Sequence, residues 1–512
     1  MTDQIANTKR IAKNTLMLYF RMFFLMILGL FTSRVVLQAL GETDYGIYNV
    51  VGGVVTLFTV ISGSLTAAVT RFITFETGKG ASADISKVYS AAVIVQVILA
   101  IVVILIAEPV GLWFIDNKMT IEPEKIVSAR LVFHFSLLTF VINLLSVPQM
   151  AMITAHEKLS AYAYIGIVEG ILKLSVALLI ARTDTDRLIL YAVLMTAIAF
   201  VVRCAYAVFC RVRFKDCRFK FSLERGVLRE MSSFAGWNFI GSASGVLRDQ
   251  GTNILVNLFF GPMLNAARGV ALQLNNAVLG FVNNFMTAVN PQITKSFASG
   301  EHESMFNLVR KSAKFSYYLL LLLVLPILFN TEFLMELWLK DVPAHAVSFV
   351  RLFLIFSLSE VLSNPLITMM LATGNIRNYQ LVVGGLQLLN LPVSYFLLQK
   401  GMVPEVTVLV AIVISQICLM ARLYMLKNMV GFSFRSYLLH VYLNVLAVTS
   451  VSLPIPSMLT TIPCDSWKSF IISAAACVLS VAASIIFMGC TKEERAKGLS
   501  MIQNKLYGKN RG

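Results

Sequence analysis

The sequence predicts an all-α integral membrane protein, and three observations carry that prediction. The chain is 57% hydrophobic and only 14% charged, whereas soluble domains carry about 25% charged residues. Its mean hydropathy of +0.76 is too high for a protein whose whole surface faces water. Apolar runs long enough for a helix to cross a bilayer recur along the chain, and the alternating pattern of a membrane β-barrel is absent.

The apolar runs predict about fourteen transmembrane helices, separated by glycine, proline and short polar segments. We expect them near residues 14–40, 45–75, 86–115, 126–152, 160–182, 187–210, 231–260, 265–293, 306–330, 345–372, 379–399, 404–428, 437–460 and 467–490.

The basic residues predict the orientation. An even number of helices puts both termini on one side, and the segments of that side hold 26 of the Lys and Arg residues against 7 in the opposite loops. Under the positive-inside rule both termini are cytoplasmic, as expected for a multi-pass protein of the bacterial inner membrane. The net charge of +16 could also suggest nucleic acid, but its spread over many short loops argues against such a partner. Residues Met1–Arg10 do not resemble a cleavable signal peptide.

The sequence gives no sign of a metal, disulfide, cofactor or catalytic site. Its seven cysteines form no CxxC pair, so free thiols are expected. His134 and His156 lack neighbours typical of metal ligands, and no phosphate-binding loop for ATP is present. We therefore predict a protein that is not an enzyme.

A faint internal repeat is visible at a shift of about 220 residues. Gly41 matches Gly261, Gly80 matches Gly300, and PQMAMITAHEKLSAY (148–162) matches PLITMMLATGNIRNY (365–379). Six helices per half make this a parallel repeat. We predict an N-terminal lobe over 1–218 and a C-terminal lobe over 219–435 around a central cleft. Two extra helices and a basic cytoplasmic tail follow in 436–512.

Three stretches carry a resemblance to a known family. They are LGETDYGIYNVVGG (40–53), AHEKLSAYAYIG (155–166), and FFGPMLNAARG with NNFMTAVNPQITKSFASGE (259–269 and 283–301). Over roughly residues 10–430 the chain resembles bacterial polysaccharide flippases of the Wzx type, in the MOP exporter superfamily that also contains the MATE transporters. The two appended helices depart from the twelve-helix plan and resemble those of fourteen-helix lipid II flippases.

The resemblance implies a function and partners. Members of this family move undecaprenyl-diphosphate-linked oligosaccharides from the cytoplasmic to the outer leaflet by alternating access, for O-antigen, capsule or exopolysaccharide synthesis. Membrane lipid and a glycan polymerase, with other polysaccharide assembly proteins, are the other partners it implies.

Charged residues inside the predicted helices are the candidate site residues, because a charge at mid-bilayer costs about 3 kcal/mol and usually faces a cavity or a partner. They lean cationic, which suits a diphosphate better than a cationic drug. Near helix ends, as for Arg268 and Arg422, snorkelling to the interface is the simpler interpretation. The mid-span cations are Arg21, Arg34, Lys173, Arg203 and Arg248, and the acids are Glu169, Asp249 and Glu360.

We expect Arg34 and Arg248, with Arg21 and Lys173, to bind the diphosphate, and Asp249, Glu169 and Glu360 to be candidates for ion coupling. Two alternatives stay open. Glu169 and Lys173 are spaced for a self-neutralising pair on one helix face, and Arg248 with Asp249 could simply crosslink helices.

The eighth helix carries a polar stripe. Asn276, Asn283 and Asn290 lie on one face, with Gln273, Gly280 and Thr287 completing the period. Amides both donate and accept hydrogen bonds, which suits sugar hydroxyls. Close helix packing is the alternative use of such a stripe.

Two other functions compete with the flippase. A glycan polymerase or ligase would be expected to carry a large outer loop, and every predicted outer loop is short. A cation-coupled multidrug exporter shares the predicted fold, but would need carboxylates rather than cations in its cavity.

Overall fold

The structure is a computed structural model. It describes residues 2–56, 59–80, 84–117, 123–183, 185–217, 219, 225–339, 342–459, 467–491 and 494–495, and no β-strand occurs among them. This confirms the all-α fold class. Most of the predicted basic tail lies outside the described residues.

The helices account for nearly all of the described chain. A 3₁₀ turn covers Pro123–Lys125, and π-helical turns cover Leu438–Tyr442 and Ile485–Gly489. The α-helices are α1 (Thr2–Thr56), α2 (Thr59–Gly78), α3 (Ile85–Asn117), α4 (Ile126–Leu145), α5 (Val147–Ala155), α6 (Leu159–Ile180), α7 (Arg187–Arg213), α8 (Arg225–Phe260), α9 (Pro262–Ala298), α10 (His302–Phe329), α11 (Thr331–Leu339), α12 (Ala346–Val361), α13 (Asn364–Thr373), α14 (Arg377–Leu388), α15 (Asn390–Gln399), α16 (Val406–Val430), α17 (Phe434–Tyr437), α18 (Leu443–Ser452), α19 (Pro454–Leu459) and α20 (Trp467–Ser484).

Ten helical segments of the described chain are long and apolar enough to cross a membrane, or eleven if the bent pair α12–α13 is one span. Helices α2, α8 and α9 coincide with three further predicted spans but are not among these segments. Their polar residues, such as the Arg-Asp pair of α8 and the amides of α9, lower their hydropathy. The count of fourteen therefore stays a prediction.

Several of the predicted spans are divided into shorter helices, among them the fourth and the tenth. The helix predicted over 126–152 divides at Ser146 into α4 and α5, with Pro148 in the first turn of α5. The helix predicted over 345–372 divides into α12 and α13 with a bend of 40°, and Pro365 is the second residue of α13. Proline lacks the N–H that a helix interior uses and is favoured in a first turn, so both prolines lie where a new helix begins.

The internal repeat is visible in the backbone as well as in the sequence. Gly41 and Gly261 have φ of 78° and 82°, and Gly80 and Gly300 have φ of 65° and 76°. At the shift of the second match, Glu157 (φ 56°) is equivalent to Gly374 (φ 79°). Residues that carry a side chain rarely adopt a positive φ. The matching positive-φ residues between helices therefore support the repeat of the two halves.

The described chain divides into two compact units. Unit 1 comprises 1–243, 287–302 and 371–380, and unit 2 comprises 244–286, 303–370 and 381–512. The predicted lobe boundaries stay a prediction.

Within unit 1, a buried charged cluster surrounds the loop between α5 and α6. The Glu157 side chain is 1% exposed and forms an ion pair with Lys295 Nζ at 2.8 Å. Its second carboxylate oxygen accepts a hydrogen bond from Gln292 Nε2 at 3.0 Å, and its carbonyl accepts one from Asn14 Nδ2 at 3.1 Å. Burial lowers the pKa of the neighbouring His156, and the charge of Lys295 acts in the same direction. The cluster joins α1, the α5–α6 loop and α9.

Candidate functional site

A cavity of about 450 Å³ lies inside unit 1, between α1, α6 and the start of α7. It follows one face of α1 from Arg21 to Val36, a length of about 22 Å at 1.5 Å per residue. Among the described lining residues, the charged ones are Arg21, Glu169 and Lys173. The structure thus brings together three of the predicted site residues.

Two glycines of α6 give the cavity its shape. A Cβ atom on Gly166 would lie 2.3 Å from Arg21 Nε, and one on Gly170 would lie 2.5 Å from a methyl group of Leu25. Small residues four apart allow two membrane helices to approach closely. The IGIVEG segment therefore leaves room for the Arg21 guanidinium beside the α6 backbone.

Arg21 is held by an aromatic ring rather than by an acid. Its Cζ atom lies 4.3 Å from the ring centroid of Tyr162, within the range of a cation–π interaction. Its Nε atom is buried and has no hydrogen-bond partner among the residues that the structure describes. An unsatisfied buried donor costs about 1–3 kcal/mol, so this side chain is prepared to receive an acceptor.

Lys173 and Glu169 form the predicted i, i+4 pair. Lys173 Nζ lies 2.6 Å from a carboxylate oxygen of Glu169, and the side chains are 40% and 31% exposed. Because both residues line the cavity, the pair is accessible to a ligand that could compete for the ammonium group. The two residues therefore pair with each other, as predicted from their spacing, and also line the cavity.

Tyrosines form the far end of the cavity, and the sequence reasoning missed them. Tyr45 and Tyr48 follow the Gly41 break in α1, and Tyr191 comes from the first turns of α7. The rings of Tyr48 and Tyr191 meet edge to face with centroids 4.9 Å apart. The i, i+3 spacing of Tyr45 and Tyr48 was the only local signal, and Tyr191 joins them only through tertiary packing.

Arg34 is not part of this cavity. It lies on α1, but its side chain is exposed and it is not among the lining residues. Its proposed contact with a ligand therefore stays a prediction.

Arg203 of α7 also lies in unit 1 but outside this cavity, and its Nη1 atom is buried without a hydrogen-bond partner among the described residues. Arg248, Asp249 and Glu360 lie in unit 2. Arg248 Nε donates to Asp249 Oδ1 at 2.9 Å, and Asp249 is 56% exposed. The guanidinium of Arg248 also lies over Phe356, with Cζ 5.4 Å from the ring centroid. Glu360 is near enough to interact electrostatically with Arg248. The local Arg-Asp pair therefore forms, and its acid is accessible.

The polar stripe of α9 is largely open. Asn276 and Asn283 in unit 2 are exposed, and Asn290 in unit 1 is half-buried. Both the cleft-lining and the packing interpretations of this stripe stay predictions.

Two arginines near helix ends do not snorkel. Arg268 of α9 is 4% exposed and Arg422 of α16 is 2% exposed. Arg422 Nη1 donates to Ser363 Oγ at 2.9 Å. The snorkelling expectation was wrong here because the neighbouring helices cover both side chains.

A second cavity of about 430 Å³ lies in unit 1. Charged residues that line it form an ion pair or cap a helix. Lys125 pairs with Asp44, and Asp186 caps α7 by accepting from the amides of Leu188 and Ile189 at 3.0 and 3.1 Å. These groups are committed to the fold, and we assign them no ligand.

Comparison with known families gives one match over more than half of the chain. The family described as "Polysaccharide biosynthesis protein" matches residues 11–297. A comparison with curated protein sequences gave no significant match.

Solved structures share the fold. An outward-facing multidrug resistance MATE family transporter of the MOP superfamily aligns with a TM-score of 0.70 at 12% identity, covering 83% of this chain and 97% of that one. The Vibrio cholerae MATE transporter VcmN in its bent form aligns at 0.68 and 16%, covering 85% and 100%. A MOP superfamily transporter from Pyrococcus furiosus, described by the reverse polarity of its binding pocket, aligns at 0.69 and 11%, covering 82% and 96%. The predicted MOP-type fold is confirmed.

Proposed function

Because the chain belongs to the polysaccharide biosynthesis protein family, we propose that it moves undecaprenyl-diphosphate-linked oligosaccharide from the cytoplasmic to the outer leaflet of the bacterial inner membrane. The product would feed a surface polysaccharide such as O-antigen, capsule or exopolysaccharide. The family and the fold are those of membrane transporters. The observation that carries the finer proposal is the cavity of unit 1, with its unpaired Arg21 Nε.

The cavity has the chemistry of a diphosphate site. Arg21 of α1 supplies a planar donor fork, which matches phosphate oxygens, and Lys173 of α6 supplies a point charge in the same cavity. Glu169 is the one carboxylate among the described lining residues, and it is already paired with Lys173. A phosphate oxygen at Arg21 would satisfy the buried donor that the protein leaves open.

The tyrosines suit the sugar that follows the diphosphate. Tyr45, Tyr48 and Tyr191 combine apolar ring surfaces with hydroxyl groups, and a sugar offers both C–H faces and hydroxyls. The volume suits the lipid-proximal part of the glycan, while the polyprenyl chain stays in the bilayer. In unit 2, the exposed amides Asn276 and Asn283 are further candidates for contacts with sugar hydroxyls.

Orientation and coupling complete the proposal. The basic loops favour cytoplasmic termini, so Arg21, near the start of the first span, would meet the diphosphate first. Glu169, Asp249 and Glu360 are the candidates for a coupling proton or Na⁺. A glycan polymerase on the outer face is the proposed consumer of the product.

The alternative is a cation-coupled multidrug exporter, which the shared fold allows. A cationic drug would have to enter a cavity that already holds two cations and one paired acid. Like charges in a confined site repel, so the electrostatics favour the anionic substrate.

The test is transport in proteoliposomes. The substrate is radiolabelled N-acetylglucosamine linked through diphosphate to a short polyprenyl chain, and an impermeant enzyme reports the sugar that reaches the far leaflet. We expect Arg21→Gln and Lys173→Gln each to slow transport by about tenfold or more, equivalent to at least 1.4 kcal/mol. The loss would arise because each substitution removes a charge-assisted contact to phosphate.

The matched control is Arg130→Gln, since Arg130 is 48% exposed and pairs with Asp116 at 2.8 Å. It should transport at the wild-type rate. Transport of ethidium but not of the diphosphate-linked sugar by the wild-type protein would instead establish the exporter and refute the flippase.

A further inference from the structure

A tyrosine that follows the two predicted lobes satisfies a backbone carbonyl in the bend between α12 and α13. Leu362 and Ser363 form the turn between these helices, and a helix end leaves carbonyl groups that need donors from outside the helix. The hydroxyl of Tyr437 donates to the Leu362 carbonyl at 2.7 Å, and Tyr437 is fully buried. The bend is thus attached to the first of the two appended helices.

A second chain of hydrogen bonds runs from the same helix to the end of α12. Tyr442 Oη donates to Gln416 Oε1 at 3.0 Å, and Gln416 Nε2 donates to Ser359 Oγ in the last turn of α12. The π-helical turn Leu438–Tyr442 follows Tyr437 and includes Tyr442. Its hydrogen bonds run over five residues, so residues five apart lie closer to one helix face than in an α-helix. Both tyrosines therefore reach the same end of α12.

Helix α16 adds a third contact at this bend. Arg422 is 2% exposed, and its Nη1 atom donates to Ser363 Oγ at 2.9 Å. A change of the 40° bend would break several of these contacts and leave buried polar groups without partners, which is unfavourable. We therefore expect α12, α13 and the first appended helix to move as one body.

The braced helix carries side chains that contact Arg248. The ring centroid of Phe356 in α12 lies 5.4 Å from Arg248 Cζ, and Glu360 is near enough to act electrostatically on the same guanidinium. Phe356 and Glu360 both lie within the last two turns of α12, next to the bend. A displacement of this end of α12 would change both contacts with Arg248, which is a predicted site residue.

We propose that Tyr437 is a positioning residue for transport, because the appended helix braces the bend and so holds Phe356 and Glu360 against Arg248. The inference goes beyond the proposed function, since it gives the appended helices a role in which they do not touch the substrate. It rests on the proposed function only for the transport measurement.

The first measurement is independent of the substrate. Genetically encoded spin-labelled amino acids replace Ile355 of α12 and Leu446 of α18, which are 41% and 45% exposed, and report the distance between these helices in the full chain in nanodiscs. Tyr437→Phe removes only the hydroxyl group and should broaden the distance distribution. Tyr424→Phe is the matched control, because Tyr424 of α16 is 63% exposed, and it should keep the wild-type distribution. An unchanged distribution in Tyr437→Phe would overturn the brace.

The second measurement tests whether the brace acts through α12. Tyr437→Phe should slow transport per folded molecule by about fivefold, as expected when one hydrogen bond of ordinary strength is lost. Phe356→Leu, which removes the ring beside Arg248, should slow it as well. The double variant should be little slower than the slower single variant, because both substitutions act on the same contact, whereas effects at independent sites multiply.

The outcomes separate the two proposals. Multiplying effects in the double variant, or a lower Tm with unchanged transport per folded molecule in Tyr437→Phe, would leave Tyr437 a purely structural role and overturn the inference. A wild-type protein that transports no diphosphate-linked sugar would refute the proposed function, and the distance measurement would still decide whether the brace exists.

Discussion

Two buried charged regions of the molecule differ in how completely their charges are satisfied. At Glu157, both carboxylate oxygens and the carbonyl have partners, supplied by Lys295, Gln292 and Asn14. At Arg21, the guanidinium lies over a tyrosine ring beside a cavity, and its buried Nε has no acceptor among the described residues.

The difference distinguishes charged groups that stabilise the fold from charged groups that are available to bind a ligand. A buried ion pair with all hydrogen bonds made is costly to break, so the Glu157 cluster should act on stability. An unsatisfied donor beside a cavity destabilises the empty protein and gains from binding, so Arg21 should act on transport. Substitutions in the Glu157 cluster should therefore change stability and not transport, whereas substitutions at Arg21 should change transport and not stability.

The largest effect is expected at Glu157. Glu157→Gln removes the charge that Lys295 faces and should lower the free energy of unfolding by about 3 kcal/mol, as when one partner of a buried pair is lost. Thermal unfolding in detergent measures it as a clear fall in Tm. Asp84→Asn is the control, because Asp84 and Lys87 form an exposed pair, 48% and 49% accessible, of the kind worth about 0–1 kcal/mol. Equal Tm values for both variants would show that the cluster does not hold unit 1 together.

A smaller effect is expected where a glycine makes room for Arg21. A methyl group at Gly166 would fall 2.3 Å from Arg21 Nε, so Gly166→Ala should displace the guanidinium and slow transport by about tenfold, or 1.4 kcal/mol. Gly236→Ala is the matched control, because a Cβ there meets nothing within 4 Å and alanine favours a helix. Transport at the wild-type rate by Gly166→Ala would mean that the position of Arg21 is not critical.

Local spacing accounts for what the sequence could predict of these sites. The pairs Lys173–Glu169 and Arg248–Asp249 formed because their partners are neighbours on one helix. The all-α fold and the repeat followed from apolar run lengths and matched glycines. Such features can be read from a short stretch of sequence, or from two stretches separated by a constant number of residues.

Tertiary packing accounts for what the sequence could not predict. The tyrosine end of the cavity joins Tyr45 and Tyr48 to Tyr191, which is remote in sequence. The burial of Arg268 depends on contacts with other helices, such as that with Phe353 of α12. The sequence around residue 268 does not predict these contacts. The divided helices at Ser146 and between α12 and α13 follow from prolines that the sequence shows, but a proline can also kink a helix without ending it.

The smallest effect compares two adjacent amides of α9. Asn275 is buried and accepts from Ser357 Oγ at 2.7 Å, whereas Asn276 is exposed on the polar stripe. Asn275→Ala should lower Tm and leave transport per folded molecule unchanged, because it breaks an internal hydrogen bond. Asn276→Ala should leave Tm unchanged and slow transport by about threefold, the worth of one neutral hydrogen bond of about 0.6 kcal/mol. A fall in Tm for Asn276→Ala would show that the stripe packs against another helix. The distinction between structural and ligand-binding polar groups would then not apply to α9.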